Sequence, residues 1–192
     1  MMLDLVTGGR RLAGHLLHSP DRLLHPWRRR RAVVRVRTAL PVRSVCFVCL
    51  GNVNRSPYAA AALRRLLSGR PEGSVRVESA GLIGPGRPCP TLTREVAGEH
   101  GFDLLEHVSR LLTRQQADAA ELIAVMSPAI AAELETDFGQ PASKLLVLGD
   151  LDPVAGWRRE IKDPYDQPRA VFEATFDRID RCVMSLMWEM RP

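Results

Sequence analysis

An apolar run, Val45-Cys46-Phe47-Val48, passes directly into Cys49-Leu50-Gly51-Asn52-Val53-Asn54-Arg55-Ser56-Pro57 and then into the helix-forming stretch Tyr58-Ala59-Ala60-Ala61-Ala62-Leu63. Few arrangements satisfy that order. A buried strand must feed a short loop, and the loop must feed a helix whose first residue is expected to be Pro57. Five residues separate Cys49 from Arg55, enough chain to curl once and turn successive backbone N–H groups inward. Such a nest above a helix N-terminus binds an anion, and the planar fork of Arg55 suits two phosphate oxygens. The same positive field favours the thiolate form of Cys49, and a thiolate facing a phosphoryl group is a nucleophile aimed at phosphorus. Each part alone has an ordinary explanation: a cysteine after a strand is usually a small buried hydrophobe, and Gly-Asn is usually a turn. The order and spacing together favour a phosphate site.

Charge narrows the partners. Residues 1–43 carry ten Arg against two Asp, a net of +8, while residues 44–192 carry 17 Lys and Arg against 20 Asp and Glu, a net of −3. The basicity therefore belongs to an N-terminal arm, and it is no reason to expect the body to bind nucleic acid. The four cysteines are scattered, and no secretory signal is expected: the arm has no uninterrupted apolar core and no small-residue cleavage site. A reducing, cytoplasmic setting follows. Cys46 and Cys49 do not make a disulfide motif, because residues three apart on an extended strand lie about 10 Å from each other. No metal site is expected, since the five histidines (15, 18, 25, 100 and 107) fall in no ligand spacing. No apolar run reaches membrane-spanning length.

The arm, residues 1–43, is expected to be a flexible or partly helical extension, broken at Ser19-Pro20 and His25-Pro26, with Ala32-Val33-Val34-Arg35-Val36-Arg37 able to extend. Its Arg, Leu and Trp content also suits weak, peripheral contact with an anionic membrane. The body, residues 44–192, alternates strands at 44–48, 74–78, 121–126 and 144–148 with helices. Thr113-Arg114-Gln115-Gln116 matches a capping box. The last helix, about 169–190, carries Phe172, Phe176, Ile179, Val183, Leu186 and Met190 on one stripe. The fold expected is a single α/β domain. Its four-stranded parallel sheet is flanked by helices on both faces, with the phosphate-binding loop after the first strand. The stretch 150–167 has no clear structure of its own, and loops of that length are usually functional. It offers Asp150, Asp152, Glu160, Asp163 and Asp166 as proton donors, and the residue pattern does not choose among them.

Residues 48–57, with Ser79-Ala80-Gly81, His107, Arg110 and Asp163-Pro164-Tyr165, resemble the low-molecular-weight protein tyrosine phosphatases over roughly residues 44–190. The resemblance implies Cys49 as nucleophile, Arg55 as phosphate clamp and Asp163 as general acid. Asp152-Pro153 is then left as a turn. Leu50, Gly51, Asn52, Val53, Asn54 and Ser56 would form the substrate loop, with Tyr165 as a wall of the cleft. Asn52, Ser56, Ser79 and His107 would share a hydrogen-bond web, with Ser79 and His107 supporting from behind. No cofactor is implied, and the substrate would be a phosphotyrosine protein, a bacterial tyrosine kinase among the candidates. The chain departs from the family at Asn54, where many members have a second Cys able to trap the nucleophile, and at Ser127, where many have Asp. It departs again at Asp166, where a second Tyr is common, and the loop 82–90 lacks an aromatic residue. The alternatives are a protein-arginine phosphatase, a thiol-dependent arsenate reductase, and a phosphate-binding module without catalysis. In the arginine phosphatases a Thr stands at the position of Val53, whose missing hydroxyl favours phosphotyrosine. Residues 127–145 lack the further cysteines a reductase needs. The joint presence of Cys49, Arg55 and Asp163 argues against the binding module.

Overall fold

The computed structural model describes residues 19–69, 75–154 and 158–191, with side chains from Arg22 onward. A helix, α1 (Ser19–Thr38), precedes β1 (Ser44–Cys49). Then follow α2 (Arg55–Leu67), β2 (Arg76–Gly81), α3 (Thr91–Glu99), α4 (Arg114–Ala119), β3 (Leu122–Val125), α5 (Pro128–Thr136), β4 (Leu145–Val147) and α6 (Arg169–Glu189). The four strands form one parallel sheet in the order β2-β1-β3-β4. Every residue of β1 is buried. Alternate side chains of a strand point to opposite faces, so both faces of the sheet are covered there. The strand order reverses at β1, and the crevice beyond its carboxyl end is where sheets of this kind hold ligands.

The elements follow from local signals. The Thr113 hydroxyl accepts the Gln116 N–H while the Gln116 side chain accepts the Thr113 N–H, so the capping box is formed at α4. Ser127 caps α5 through Ile130 N–H at 3.3 Å, with Pro128 as its first residue, so the departure at Ser127 keeps a good N-cap. The six apolar residues of the α6 stripe are all buried. Tyr58, one residue past Pro57, stacks on Phe176 of α6 at 3.9 Å between ring centroids, and its hydroxyl donates to Asp180 at 2.9 Å. That contact fixes the helix carrying the thiol loop to the longest helix of the body. α2 itself starts two residues earlier than expected, at Arg55, so Arg55 and Ser56 sit in its first turn.

The arm differs from expectation. Residues 1–18 lie outside the described residues, but 19–38 are one α-helix that runs through Pro26, and 32–37 are helical rather than extended. Tertiary packing outweighs both the proline and the β-branched valines. His25, Arg28, Ala32 and Val36 recur at helical spacing and are all buried. His25 Nε2–H donates to the Asp152 carbonyl at 2.9 Å, Arg28 lies 3.7 Å from Asp150, Arg35 donates to the Leu145 carbonyl, and Arg37 pairs with Glu189 at 2.6 Å. Ala32 and Val36 belong to the main core, so this helix is docked on the body and is not a solvated extension. Among the described residues no helix is long and apolar enough to cross a membrane.

Candidate active site

Asn52 makes the loop possible. Its φ of 51° lies in the left-handed region, which Asn tolerates better than most residues with a Cβ. Its side chain is fully buried and its amide is used at both ends. Nδ2 donates to Ser56 Oγ at 2.9 Å and to Ser79 Oγ at 3.0 Å, while Oδ1 accepts the Arg110 N–H at 2.9 Å. The Asn52 carbonyl accepts from His107 Nε2 at 2.8 Å. Burial, with Arg110 and Arg64 adding to it, holds the His107 pKa below its ordinary value despite that hydrogen bond, so the ring favours its neutral form and braces the Asn52 carbonyl. Asn52, Ser56, Ser79 and His107 thus converge behind the thiol. Gly81 completes this wall. A Cβ there would lie 2.9 Å from both Asn52 N and Leu50 O, so β2 has to end in glycine for the loop to rest on it.

Cys49 is 2% exposed. Its Sγ receives the Asn52 N–H at 3.1 Å and lies 3.0 Å from Ser56 Oγ. The Ser56 hydroxyl already accepts from Asn52, and its one proton can go to Cys49 Sγ or to the Ala80 carbonyl at 3.3 Å; an ionised sulfur is the stronger acceptor. Burial pushes the thiols of Cys46 and Cys89 up to about 12 and that of Cys182 higher still, so those three stay protonated at neutral pH. All four cysteines are free.

Arg55, 4% exposed, donates through Nη1 to the Ile161 carbonyl at 3.0 Å and pairs through Nη2 with Asp163 Oδ2. Its buried Nε–H has no acceptor among the described residues. Asp163 Oδ1 receives the Tyr165 N–H at 3.2 Å and Asn54 Nδ2 at 3.4 Å. Of the five carboxylates between 150 and 167, Asp163 is the one the structure brings to the thiol loop. Asp150 is held by Arg159 at 2.8 and 3.0 Å. Asp152 is buried between Arg178 and Arg181 and also accepts the Val154 N–H, so it is more than the turn expected of it. A cleft of about 210 Å³ opens above Cys49, lined by Leu50, Gly51, Val53, Asn54, Ile83, Arg87, Asp163 and Tyr165. Tyr165 and Ile83 are each half exposed and offer the cleft two hydrophobic edges. A larger, open cavity of about 830 Å³ lies beside α1, lined by Trp27, Arg31, Val34 and Lys144 among others, and contains no thiol.

Sequence reasoning did not single out Arg87, Ile83, Thr93 or the role of Gly81. The Arg87 guanidinium donates to the carbonyls of Gly84 (2.8 Å) and Gly51 (3.2 Å), tying the loop 82–90 to the thiol loop. Its two glycine neighbours were the available signal, since a Cβ on Gly84 would lie 2.6 Å from that guanidinium. Among the described residues no cluster of His, Cys, Asp or Glu could hold a metal ion.

A parallel sheet with a thiol in the loop at its switch point, an arginine fork beside it and a carboxylate above defines the class of cysteine-dependent phosphoryl-transfer proteins. Comparison with known proteins gives the family. The chain belongs to the low molecular weight phosphotyrosine protein phosphatases, whose family model matches residues 44–191. EpsP of Ralstonia nicotianae, named a probable low molecular weight protein-tyrosine-phosphatase, is 33% identical over 143 residues, covering 74% of this chain and 92% of EpsP. Etp of Escherichia coli, a low molecular weight protein-tyrosine-phosphatase, is 31% identical over 155 residues, covering 79% of this chain and 96% of Etp. Among solved structures, the tyrosine phosphatase amsI of Erwinia amylovora superposes with a TM-score of 0.67 at 28% identity, over 76% of this chain and 91% of that one. The YwlE arginine phosphatase of Geobacillus stearothermophilus superposes with a TM-score of 0.66 at 27% identity, over the same shares. The family match starts at Ser44, so α1 lies outside it.

Proposed function

We propose that residues 44–192 form a protein-tyrosine phosphatase domain that hydrolyses phosphotyrosine through a phosphocysteine intermediate, and that residues 1–43 are an addition to it. The Cys49 sulfur attacks phosphorus in line. Its electron pair forms the S–P bond as the bond from phosphorus to the phenolic oxygen breaks. Arg55 and the backbone N–H groups of residues 50–56 hold the equatorial oxygens. Asp163 gives its proton to the departing phenolate, then takes one from the water that cleaves the S–P bond. Ser56 eases release of the sulfur. The observation that carries this reading is the convergence of Cys49, Arg55 and Asp163 on one loop, with Asn52 and Ser56 both bonded to the sulfur.

The rim favours an aryl substrate. Leu50, Val53, Ile83 and Tyr165 line it, and Val53 offers no hydroxyl to a guanidinium phosphate. The substrate is then a phosphotyrosine protein, a bacterial tyrosine kinase being the candidate suggested by the sequence resemblance. The test is hydrolysis of a phosphotyrosine peptide and of a phosphoarginine peptide by wild type and by Cys49→Ser. We expect turnover of the first substrate only, and none by the variant, the usual result of losing a nucleophile. Preference for phosphoarginine would replace the tyrosine reading, and normal turnover by Cys49→Ser would rule out the thiol mechanism.

The outer stripe of α1 supports a peripheral contact with anionic membrane from the cytoplasmic side. Leu23, Trp27 and Val34 are exposed there on the same side as Arg30 and Arg31, so cationic and apolar side chains share one face. Each Arg near an anionic surface contributes about 1 kcal/mol. Because Ala32 and Val36 are core residues, deleting the arm would confound binding with folding. The sharper test is sedimentation with phosphatidylserine vesicles of wild type and of the double variant Arg30→Glu, Arg31→Glu. Binding should fall in the variant and fade with salt; equal sedimentation at both salts would remove the membrane reading.

A further inference from the structure

Asn54 precedes the first residue of α2 and occupies its N-cap, a position where an Asn side chain ordinarily accepts a backbone N–H of the first turn. Here it caps nothing. The side chain, 2% exposed, is turned the other way. Its Oδ1 accepts the hydroxyl of Thr93, a fully buried residue in the first turn of α3, and its Nδ2 points at Asp163 Oδ1 at 3.4 Å. The opposite amide orientation would set a carbonyl oxygen against a carboxylate, so the assignment of the two ends is fixed by electrostatics. A favourable cap contact has been given up for a relay from α3 to the acid loop.

We propose that Asn54 is a positioning residue for proton transfer. Braced by Thr93, its amide and the Tyr165 N–H hold Asp163 Oδ1, so that Oδ2 is the oxygen that carries and delivers the proton. The inference rests on the phosphatase reading and on Asp163 as its acid. In the structure Oδ2 is drawn to Arg55. Once Arg55 turns its fork to the equatorial phosphate oxygens, Oδ2 loses that partner and the carboxyl would be free to swing. Two donors on Oδ1 keep it over the cleft. A catalytic hydrogen bond that is long in the free protein and tightens with substrate is the usual behaviour, and the 3.4 Å contact is of that kind. At position 54 this chain thus carries an orienting group for its general acid.

The test reads how steeply kcat/KM depends on the leaving group, across aryl phosphates from dinitrophenyl phosphate to phenyl phosphate. A phenolate that leaves unaided needs no proton, and a poor one does. Asn54→Ala and Thr93→Val should lose about tenfold on phenyl phosphate and less than about twofold on dinitrophenyl phosphate, a fraction of what losing the acid itself costs. Thr93→Ser, which keeps the hydroxyl, should restore the wild-type slope. Competitive inhibition by inorganic phosphate should be unchanged in both Thr93 variants, which lie outside the anion loop. An equal loss across the series, or none, would overturn the proposal. Asp163→Asn run alongside separates the levels: if it fails to steepen the slope, the acid assignment falls and this inference with it. An inactive wild type would instead overturn the phosphatase reading.

Discussion

The stretch between β4 and α6 holds two Asp-Pro pairs eleven residues apart, and the fold uses them in opposite ways. Asp152 is 1% exposed, gripped by Arg178 and Arg181 of α6, with its carbonyl bonded to His25 of α1. Its oxygens are all engaged, so it has nothing to offer a substrate. Asp163 keeps about a third of its side chain exposed at the cleft and shares its charge with Arg55, a partner that a phosphate would claim. The same dipeptide serves as anchor at one end and, in the function we propose, as acid at the other. The difference lies in which cation faces it: one belongs to the scaffold, the other to the ligand site.

The largest expected effect lies at the acid end. Asp163→Asn keeps the shape and the acceptor for Tyr165 N–H but has no proton to give, and turnover of phenyl phosphate should fall by about 10²–10⁴-fold. Stability is not the readout at this end, because the nearly buried Arg55 loses its counter-charge with the substitution. A variant with near-normal turnover would break the comparison by moving the acid role to another carboxylate of the loop.

Asp152→Asn should show the reverse pattern. Two partly exposed guanidinium groups lose their counter-charge, while the Asn retains some hydrogen bonding, so a loss of about 1–2 kcal/mol is expected. For a chain of this size that is a fall in Tm of about 2–8 °C. Turnover at 25 °C should remain within a few-fold of wild type, and thermal melts with initial rates measured on one preparation test both halves. A large loss of turnover with unchanged Tm would mean that the two ends of the loop are functionally one.

The two ends were not equally legible. The thiol loop could be read because the residues that mark it are close in the chain: the strand, the Asn at the bend, the Arg one turn on and the helix start. The α6 stripe and the α4 capping box were readable for the same reason. The role of Asp152 was not, because its partners lie 26 and 29 residues further on and on another element. Neither was α1, whose Val-rich end and Pro26 argue locally against a long helix and are overruled by burial of Ala32 and Val36 against the body. The Thr93–Asn54–Asp163 relay joins three elements, and no spacing rule connects them. Among the loop carboxylates, only family resemblance picked Asp163; the residue pattern left five open.

His107 sharpens the comparison from the other side, since it stands behind the thiol loop yet should behave as an anchor. Its ring is partly buried, donates to the Asn52 carbonyl and is kept neutral by burial and by Arg110 and Arg64, which depress its pKa below the ordinary 6.5. In the unfolded chain the ring takes up a proton as pH falls through about 6.5. The folded protein resists until lower pH. Within that window the unfolded state binds more protons, so stability rises with pH. The stabilisation is fully present above about 6.5 and is lost as pH falls towards the folded value. The slope a single histidine can impose is at most about 1.4 kcal/mol per pH unit, which makes this the smallest of the effects. His107→Gln keeps an N–H for the Asn52 carbonyl but cannot titrate. Melts of wild type and variant should agree at neutral pH and separate as pH falls below about 6.5, the wild type losing stability and the variant having the flatter curve, while turnover at neutral pH stays within a few-fold. Parallel curves would mean that His107 does not contribute this pH dependence. A collapse of turnover with the flatter curve would return it to the chemistry, and position at the site would then be a better guide to role than the partners a residue keeps.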